Sequence, residues 1–177
     1  MNVTLHRTLM VCMLAGALAL TITLVAAKDV SAAPSPERAG GATQISGDAL
    51  FDVANTCHSE RVGADYALLM SGDLEGCLYT FVDTENARRS PSGTYLETGT
   101  ETFVASDGSG TFSTTYRFEA KYEDVAPTFP IGEIFGRCQH PIVESLGTGV
   151  FEGVSGELFF KDEVATGKYF YRGHLRY

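Results

Sequence analysis

Strict alternation of polar and apolar residues from Thr111 to Tyr122 constrains the fold of this chain more than any other sequence feature. Phe112, Tyr116 and Phe118 fall on one side of an extended backbone, and hydroxyl or charged residues occupy the other. Successive side chains of a β-strand point to opposite faces, so this pattern predicts a long strand with one face against a core. Sustained helical periodicity is absent from the chain.

Short runs of Val, Ile, Thr, Tyr and Phe, separated by Gly, Pro, Asp and Ser, follow Gly41. Such runs are typical of strands joined by turns. The segment Asp107–Gly110 predicts a hairpin between its flanking strands, because its glycines can adopt the positive φ that tight turns require. The predicted strands are Thr43–Val53, Tyr66–Ser71, Leu74–Val82, Thr94–Val104, Gly110–Tyr122, Glu133–Val143, Gly149–Phe151, Glu157–Asp162 and Lys168–Arg176.

The faces of these strands suit two all-β architectures. On Thr94–Val104, Tyr95, Glu97 and Glu101 share one face while threonines fill most of the other, so neither face is purely apolar. Mixed faces suit a closed barrel with a partly polar lumen or a two-sheet sandwich. Closure removes exposed sheet edges, and the chain is long enough for about eight strands. We therefore predict an antiparallel, closed β-barrel of about eight strands over residues 43–177.

The first 27 residues predict a cleavable secretory signal peptide. Arg7 is their one Arg or Lys, and the uncharged run from Leu9 to Ala27 ends in small side chains. We expect cleavage after Ala27, with the Ser31–Ala33 stretch as a second position. An uncleaved membrane anchor is the alternative, because the apolar run is just long enough to span a bilayer. The expected product is a secreted protein without a membrane anchor.

The composition that follows the signal limits the partners of the protein. Residues 28–42 are rich in Pro, Gly, Ser and Ala and are expected to form a disordered tether. The chain has 13 Lys and Arg and 22 Asp and Glu; the signal holds one of the basic residues, so 12 face 22 and the net charge is near −10. Such a surface repels phosphate backbones, and Arg88–Arg89 is a lone basic cluster. Nucleic acid is therefore not an expected partner.

Three cysteines remain after the signal, Cys57, Cys77 and Cys138. In an oxidising compartment this odd number predicts one disulfide and one free thiol, and three pairings are open. A zinc site is the alternative, but no two of these cysteines lie within four residues of each other, and His58 is isolated. We expect no metal site and no cofactor.

Glycines at positions 147, 149, 153 and 156 surround Phe151 and precede an alternating strand and the segment Tyr169–Leu175. This arrangement resembles the closing part of the allene oxide cyclase barrel, and dirigent proteins show a looser version of it. In order of elements the resemblance covers residues 43–177, with Ser71–Leu74 as a further match. The glycines themselves indicate a fold motif, with tight bends and closely approaching strands around a core phenylalanine.

The resemblance implies a barrel whose apolar lumen holds a small hydrophobic molecule. The cyclase's early-strand carboxylate is matched here only by Asp48 or Asp52, and its lumen cysteine aligns near Leu78. Cys77, one residue away, would face the opposite side, so no catalytic residue is transferred. The leading hypothesis is a secreted barrel that binds a small hydrophobic ligand. The alternatives are a cyclase or isomerase that acts by confining its substrate, and an extracellular interaction domain with a filled interior.

Tyrosines and carboxylates supply the candidate site residues. A ligand is expected to contact Tyr79, Tyr95, Glu101 and Tyr171. If their faces line the lumen, three carboxylates are candidate proton donors or acceptors, and otherwise they are solvated: Glu97, Glu101 and Glu119. His140 and His174 are candidate acids or bases, or else structural hydrogen-bonding groups. The Gly-x-Ser-x-Gly spelling of a nucleophile elbow is absent.

Overall fold

A computed structural model describes residues 41–124 and 131–177 of the chain. The predicted signal peptide, residues 1–27, and nearly all of the predicted tether, residues 28–42, lie outside the described residues. Among the residues that are described, none belongs to a helix long and apolar enough to cross a membrane.

The described residues contain ten β-strands and two short 3₁₀ helices, Ser59–Arg61 and Glu144–Leu146. Every predicted strand is present, and no end differs from the prediction by more than two residues. A two-residue strand that the sequence did not predict, β4, is too short to have a pattern. The strands are β1 (Thr43–Phe51), β2 (Tyr66–Gly72), β3 (Gly76–Val82), β4 (Arg88–Arg89), β5 (Thr94–Ala105), β6 (Gly110–Asp124), β7 (Ile131–Pro141), β8 (Thr148–Gly149), β9 (Ser155–Glu163) and β10 (Lys168–Arg176).

Eight of these strands form a closed antiparallel barrel. Their order around the barrel is β1, β2, β3, β5, β6, β7, β9 and β10, and β10 pairs back onto β1. Each barrel strand therefore neighbours the barrel strand that follows it along the chain, as in an up-and-down barrel. The two short strands pair at the outside of this ring, β4 with β5 and β8 with β6. The predicted fold class is confirmed.

One end of the barrel, the closed end, is filled by apolar side chains. The rings of Phe103 and Phe112 stack with centroids 5.0 Å apart, and Phe151 packs edge-on against both at 5.8 and 5.1 Å. Phe151 belongs to the glycine-rich segment, in which Gly149 and Gly153 have φ angles of +59° and +72°. These bends turn Phe151 into the core, as predicted for a glycine-rich fold motif.

A disulfide joins Cys57, in the loop between β1 and β2, to Cys77 on β3, and Cys138 is free. The loop is held further by two hydrogen bonds. The Asp52 carboxylate accepts one from the backbone N–H of Cys57 at 2.6 Å, and the Tyr79 hydroxyl donates one to the Cys57 carbonyl at 2.8 Å. The prediction of one disulfide and one free thiol is confirmed, and the structure selects the pairing.

Candidate functional site

The opposite end of the barrel, the open end, encloses a cavity of about 530 Å³. Inward-facing side chains from seven of the eight barrel strands line it, because the alternation along each strand sends every second residue into the lumen. Most of the wall is aromatic, and four carboxylates interrupt it. The tyrosines of the wall are Tyr66, Tyr95, Tyr116, Tyr122 and Tyr169.

Glu101 and His140, the floor pair, lie where the cavity meets the closed end, and each is only 3% exposed. The Glu101 carboxylate accepts hydrogen bonds from His140 Nδ1 at 2.5 Å, from the Thr114 hydroxyl at 2.7 Å and from the Thr80 hydroxyl at 3.2 Å. These three donors satisfy the buried carboxylate. The other ring nitrogen of His140, Nε2, has no hydrogen-bond partner among the residues that the structure describes.

Glu97 organises two tyrosines of the wall. Its carboxylate accepts hydrogen bonds from the hydroxyls of Tyr95 at 2.5 Å and Tyr116 at 2.8 Å. Burial and the nearby Glu97 carboxylate raise the pKa of both tyrosines well above the usual range. Both hydroxyls therefore stay protonated and point their hydrogens at Glu97, which makes this carboxylate a structural part of the wall.

Glu133 and Asp162, the wall pair, are two carboxyl groups beside Gly136. Glu133 Oε1 and Asp162 Oδ2 lie 2.5 and 2.4 Å from the position that a Cβ would take on Gly136, and within residues 41–124 and 131–177 no group outside the pair donates a hydrogen bond to either atom. Burial first, and then Glu133, raise the pKa of Asp162 to about 8. At neutral pH Asp162 therefore holds a proton that it donates to Glu133, and the pair carries one negative charge.

A β-bulge brings Glu133 into the lumen. Lys121 on β6 pairs with Phe135, but the next residue, Tyr122, pairs with Glu133, so that Ile134 is an extra residue on β7. A bulge reverses the alternation beyond it. Glu133 consequently lies on the inner face together with Gly136. In a regular strand, two residues three positions apart would point to opposite faces. The sequence analysis missed Glu133 and Asp162, since the register of partner strands leaves no local signal.

No protein-family model, curated protein or solved structure matches this chain.

Two of the four predicted ligand contacts, Tyr95 and Glu101, line the cavity, and Tyr79 and Tyr171 do not. The three tyrosines among these predicted contacts therefore lie in three different parts of the barrel. On β3 the inward positions belong to Leu78 and its alternating partners, so Tyr79 points out of the barrel and holds the disulfide loop. Leu78 points into the barrel and Cys77 points out of it, toward the disulfide loop, which confirms the prediction that the two side chains lie on opposite faces.

Tyr171 does face inward, but at the closed end. Its hydroxyl accepts a hydrogen bond from the Leu74 N–H at 2.8 Å and donates to the Ser71 carbonyl at 3.2 Å. The side chain is 2% exposed and belongs to the hydrophobic core. Alternation predicted its face correctly, but its level along the barrel axis makes it a core residue.

The three candidate carboxylates separate in the same way. Glu97 and Glu101 face the lumen, whereas Glu119 points outward and pairs with Arg137 at 2.8 Å. His174 lies on the outer face of β10, as its alternation with Gly173 and Leu175 predicted. The two aspartates that the resemblance suggested also lie outside the lumen. Asp48 is exposed on β1, and Asp52 accepts a hydrogen bond from the disulfide loop.

Cys138, the free thiol, lines the cavity on the same face of β7 as His140. Burial raises the pKa of this thiol well above its usual range, so it remains protonated and unreactive. Across residues 41–124 and 131–177, no three His, Cys, Asp or Glu side chains are grouped so that they would hold a metal ion.

Proposed function

We propose that this chain is an exported protein that binds a small, mainly apolar molecule in the lumen of its barrel. The observation that carries the proposal is the cavity of about 530 Å³ at the open end. Small-molecule sites typically measure about 300–1,000 Å³ and combine an apolar wall with a few polar groups that orient the ligand. Here the aromatic wall supplies the apolar surface, and the floor and wall pairs supply the polar groups.

The contrast with the closed end favours a binding site over an interaction domain with a filled interior. Side chains can fill an eight-stranded barrel completely. Phe103, Phe112 and Phe151 do so at the closed end, but the open end keeps its volume and places carboxyl groups around it. The resemblance of residues 147–156 to the cyclase barrel supports the same proposal, because that barrel holds an apolar molecule.

Two adjacent residues of β10 test the proposal. Tyr169 lines the cavity and packs against Phe51 with ring centroids 5.3 Å apart, whereas Phe170 is 44% exposed on the outer face. A dye that fluoresces in apolar surroundings should bind the folded protein saturably, with a stoichiometry near one. Tyr169→Ala should weaken binding roughly fivefold or more, since an aromatic contact contributes about 1 kcal/mol, and Phe170→Ala should not.

Circular dichroism of both variants would show that the sheet is intact. The absence of saturable binding by the folded wild type, or an equal loss in the two variants, would overturn the lumen as the binding site.

The floor pair favours a second candidate, a cyclase or isomerase of the allene oxide cyclase or dirigent type that confines its substrate. An imidazole whose Nδ1–H donates to Glu101 presents a lone pair at Nε2, and this arrangement can transfer protons in an apolar cavity. 5-Nitrobenzisoxazole is a suitable probe, because a base that removes its C–H proton breaks the ring N–O bond and releases a coloured phenolate. The wild type should catalyse this elimination with saturation.

Glu101→Gln should lower kcat for the elimination at least about tenfold and leave dye binding intact, because the imidazole loses its anionic partner. Glu119→Gln, a matched change on the outer face of β6, should have no effect. A wild-type rate equal to that of buffer would remove the enzymatic candidate and leave ligand binding unaffected.

Export is the third part of the proposal. The Cys57–Cys77 disulfide supports it, because such bonds persist in oxidising compartments. N-terminal sequencing of protein recovered outside the cytoplasm should give a first residue near Lys28. An intact segment 1–27 on the mature protein would contradict processing.

A further inference from the structure

In the described parts of the chain, three buried side-chain atoms have no hydrogen-bond partner beyond the proton that the wall pair shares: His140 Nε2, Glu133 Oε1 and Asp162 Oδ2. All three belong to residues that line the open-end cavity. A buried polar atom without a partner destabilises a fold, so native structures contain few of them. Their concentration around one cavity means that molecules in the lumen, either water or a ligand, supply the remaining partners.

One cation, Arg89, and four carboxyl groups line the cavity, and the Arg89 guanidinium lies 5.9 Å from the ring centroid of Tyr95. The carboxyl groups therefore determine what kind of molecule fits. Glu97 and Glu101 already have hydrogen-bond donors from tyrosine, threonine and histidine side chains. Glu133 and Asp162 have only the proton that they share. Two adjacent acceptors with net negative charge select a cation that donates several hydrogen bonds, and they repel a carboxylate.

The rings of Tyr122 and Tyr169 lie near the wall pair. The carboxyl groups of Glu133 and Asp162 are close enough to Tyr122 and Tyr169 to raise the pKa of both phenols, in addition to the larger effect of burial. These rings remain neutral, and the face of a neutral aromatic ring attracts a nearby cation. An ammonium group satisfies the acceptors and the rings together.

The floor and wall pairs lie at different levels of the lumen. His140 pairs with Leu158 of β9, and Asp162 lies four residues further along that strand. At the usual rise per residue of a β-strand, the backbones of these two levels are about 13 Å apart. The ring of Phe160 lies between these levels and contacts the His140 ring at 4.4 Å. Side chains from both levels shorten the gap, so one aromatic ring with a short chain can bridge it.

We propose that the lumen binds an arylalkylamine that carries a hydroxyl group on its ring. The ammonium lies between Glu133 and Asp162, the ring packs against Phe160, and the hydroxyl hydrogen-bonds to His140 Nε2. This inference rests on the proposed lumen binding and names the class of ligand.

Three probes of nearly equal shape test the inference: tyramine, its alcohol analogue 2-(4-hydroxyphenyl)ethanol, and its acid analogue 3-(4-hydroxyphenyl)propionate. In calorimetric titrations of the exported protein, tyramine should bind at least about tenfold more tightly than the alcohol, and the acid should bind more weakly than either. 2-Phenylethylamine, which lacks the hydroxyl, should bind a few-fold more weakly than tyramine.

Asp162→Asn and Glu133→Gln should each lower the affinity for tyramine about tenfold or more and leave the affinity for the alcohol unchanged. Glu163→Gln makes the same carboxyl-to-amide change on the outer face of β9 and should change neither affinity. The ammonium also displaces the proton of Asp162, so tyramine should release protons at pH 7 and the alcohol should not. Burial keeps the facing groups Tyr122, Tyr169 and Cys138 protonated throughout.

The outcomes separate the two proposals. If the dye and the alcohol bind but tyramine binds no more tightly, or if the wall-pair variants retain full tyramine affinity, the amine class is wrong and lumen binding stands. If the folded wild type binds neither the dye nor any of the probes, both proposals are wrong. The comparison among wild-type probes holds even where a variant fails to fold.

Discussion

The two ends of this barrel are built from the same strands but with opposite chemistry. At the closed end β5 and β6 contribute Phe103 and Phe112, which are 1% and 0% exposed and stack on each other. At the open end the same two strands contribute Glu97 and Tyr116 to the wall of a cavity. The difference shows that alternation decides only which residues share a face of a strand. The residue types at each height along the barrel axis decide whether the barrel is filled or hollow there.

The largest expected effect tests whether stability resides mainly at the closed end. Phe103→Ala should lower the free energy of unfolding by about 3–5 kcal/mol, because it opens a void in a packed core. Phe118→Ala removes the same side chain from the cavity wall and should cost at most about 1.5 kcal/mol, because this ring already borders open space. Urea unfolding measures both, and equal losses would refute the division of the barrel into two ends.

The disulfide tests whether the outer surface can be weakened without changing the lumen. Replacement of Cys57 and Cys77 by Ser should lower the free energy of unfolding by about 3 kcal/mol, the value typical of a closed loop of this size. Dye affinity should stay the same, because neither cysteine lines the cavity. Thiol counts on denatured protein that lacks residues 1–27 should rise from one to three on reduction, and three thiols without reductant would rule out the bond.

The smallest expected effect sharpens the comparison at the open end. Asp162 has a pKa of about 8 in the fold against 3.8 for the ordinary carboxyl, so between pH 4 and pH 8 the native state binds more protons than the unfolded state. This group's contribution to stability is therefore complete below about pH 4 and is lost as the pH rises to 8. Because Asp162 is partly open to solvent, we expect a loss on the order of 1 kcal/mol.

Unfolding midpoints measured from pH 5 to 9 would show this slope. Asp162→Asn should flatten it, because the amide does not titrate and cannot repel Glu133. Glu163→Gln should preserve the slope. A slope that persists in the Asp162→Asn variant would assign it to another group.

Most of the fold could be predicted from the sequence, because strands have local signals. Alternation placed Tyr95, Glu97 and Glu101 on one face of β5, and the glycines of 147–156 indicated a tight fold motif around Phe151. These features depend on backbone geometry and on neighbours in the chain, so the residues themselves carry the information.

The functional site was predicted only in part. Alternation left open whether Glu97 and Glu101 face a lumen or water, because both arrangements have the same period. It also grouped Tyr171 with the ligand contacts, although its level along the barrel places it in the closed-end core. A face can be deduced from one strand, but a level along the axis requires the stagger of all the strands.

By itself, the sequence determined the strands, which residues share a face of each strand, the glycine motif around Phe151 and the presence of one disulfide among three cysteines. Only the tertiary structure decided that the bond is Cys57–Cys77, that the open end is hollow, and that a bulge turns Glu133 toward Asp162. The physical reason is that pairing register, bulges and cavities arise between segments far apart in the chain. The stability of a given register, bulge or cavity depends on the partner strand, so it cannot be predicted from a local pattern of residues.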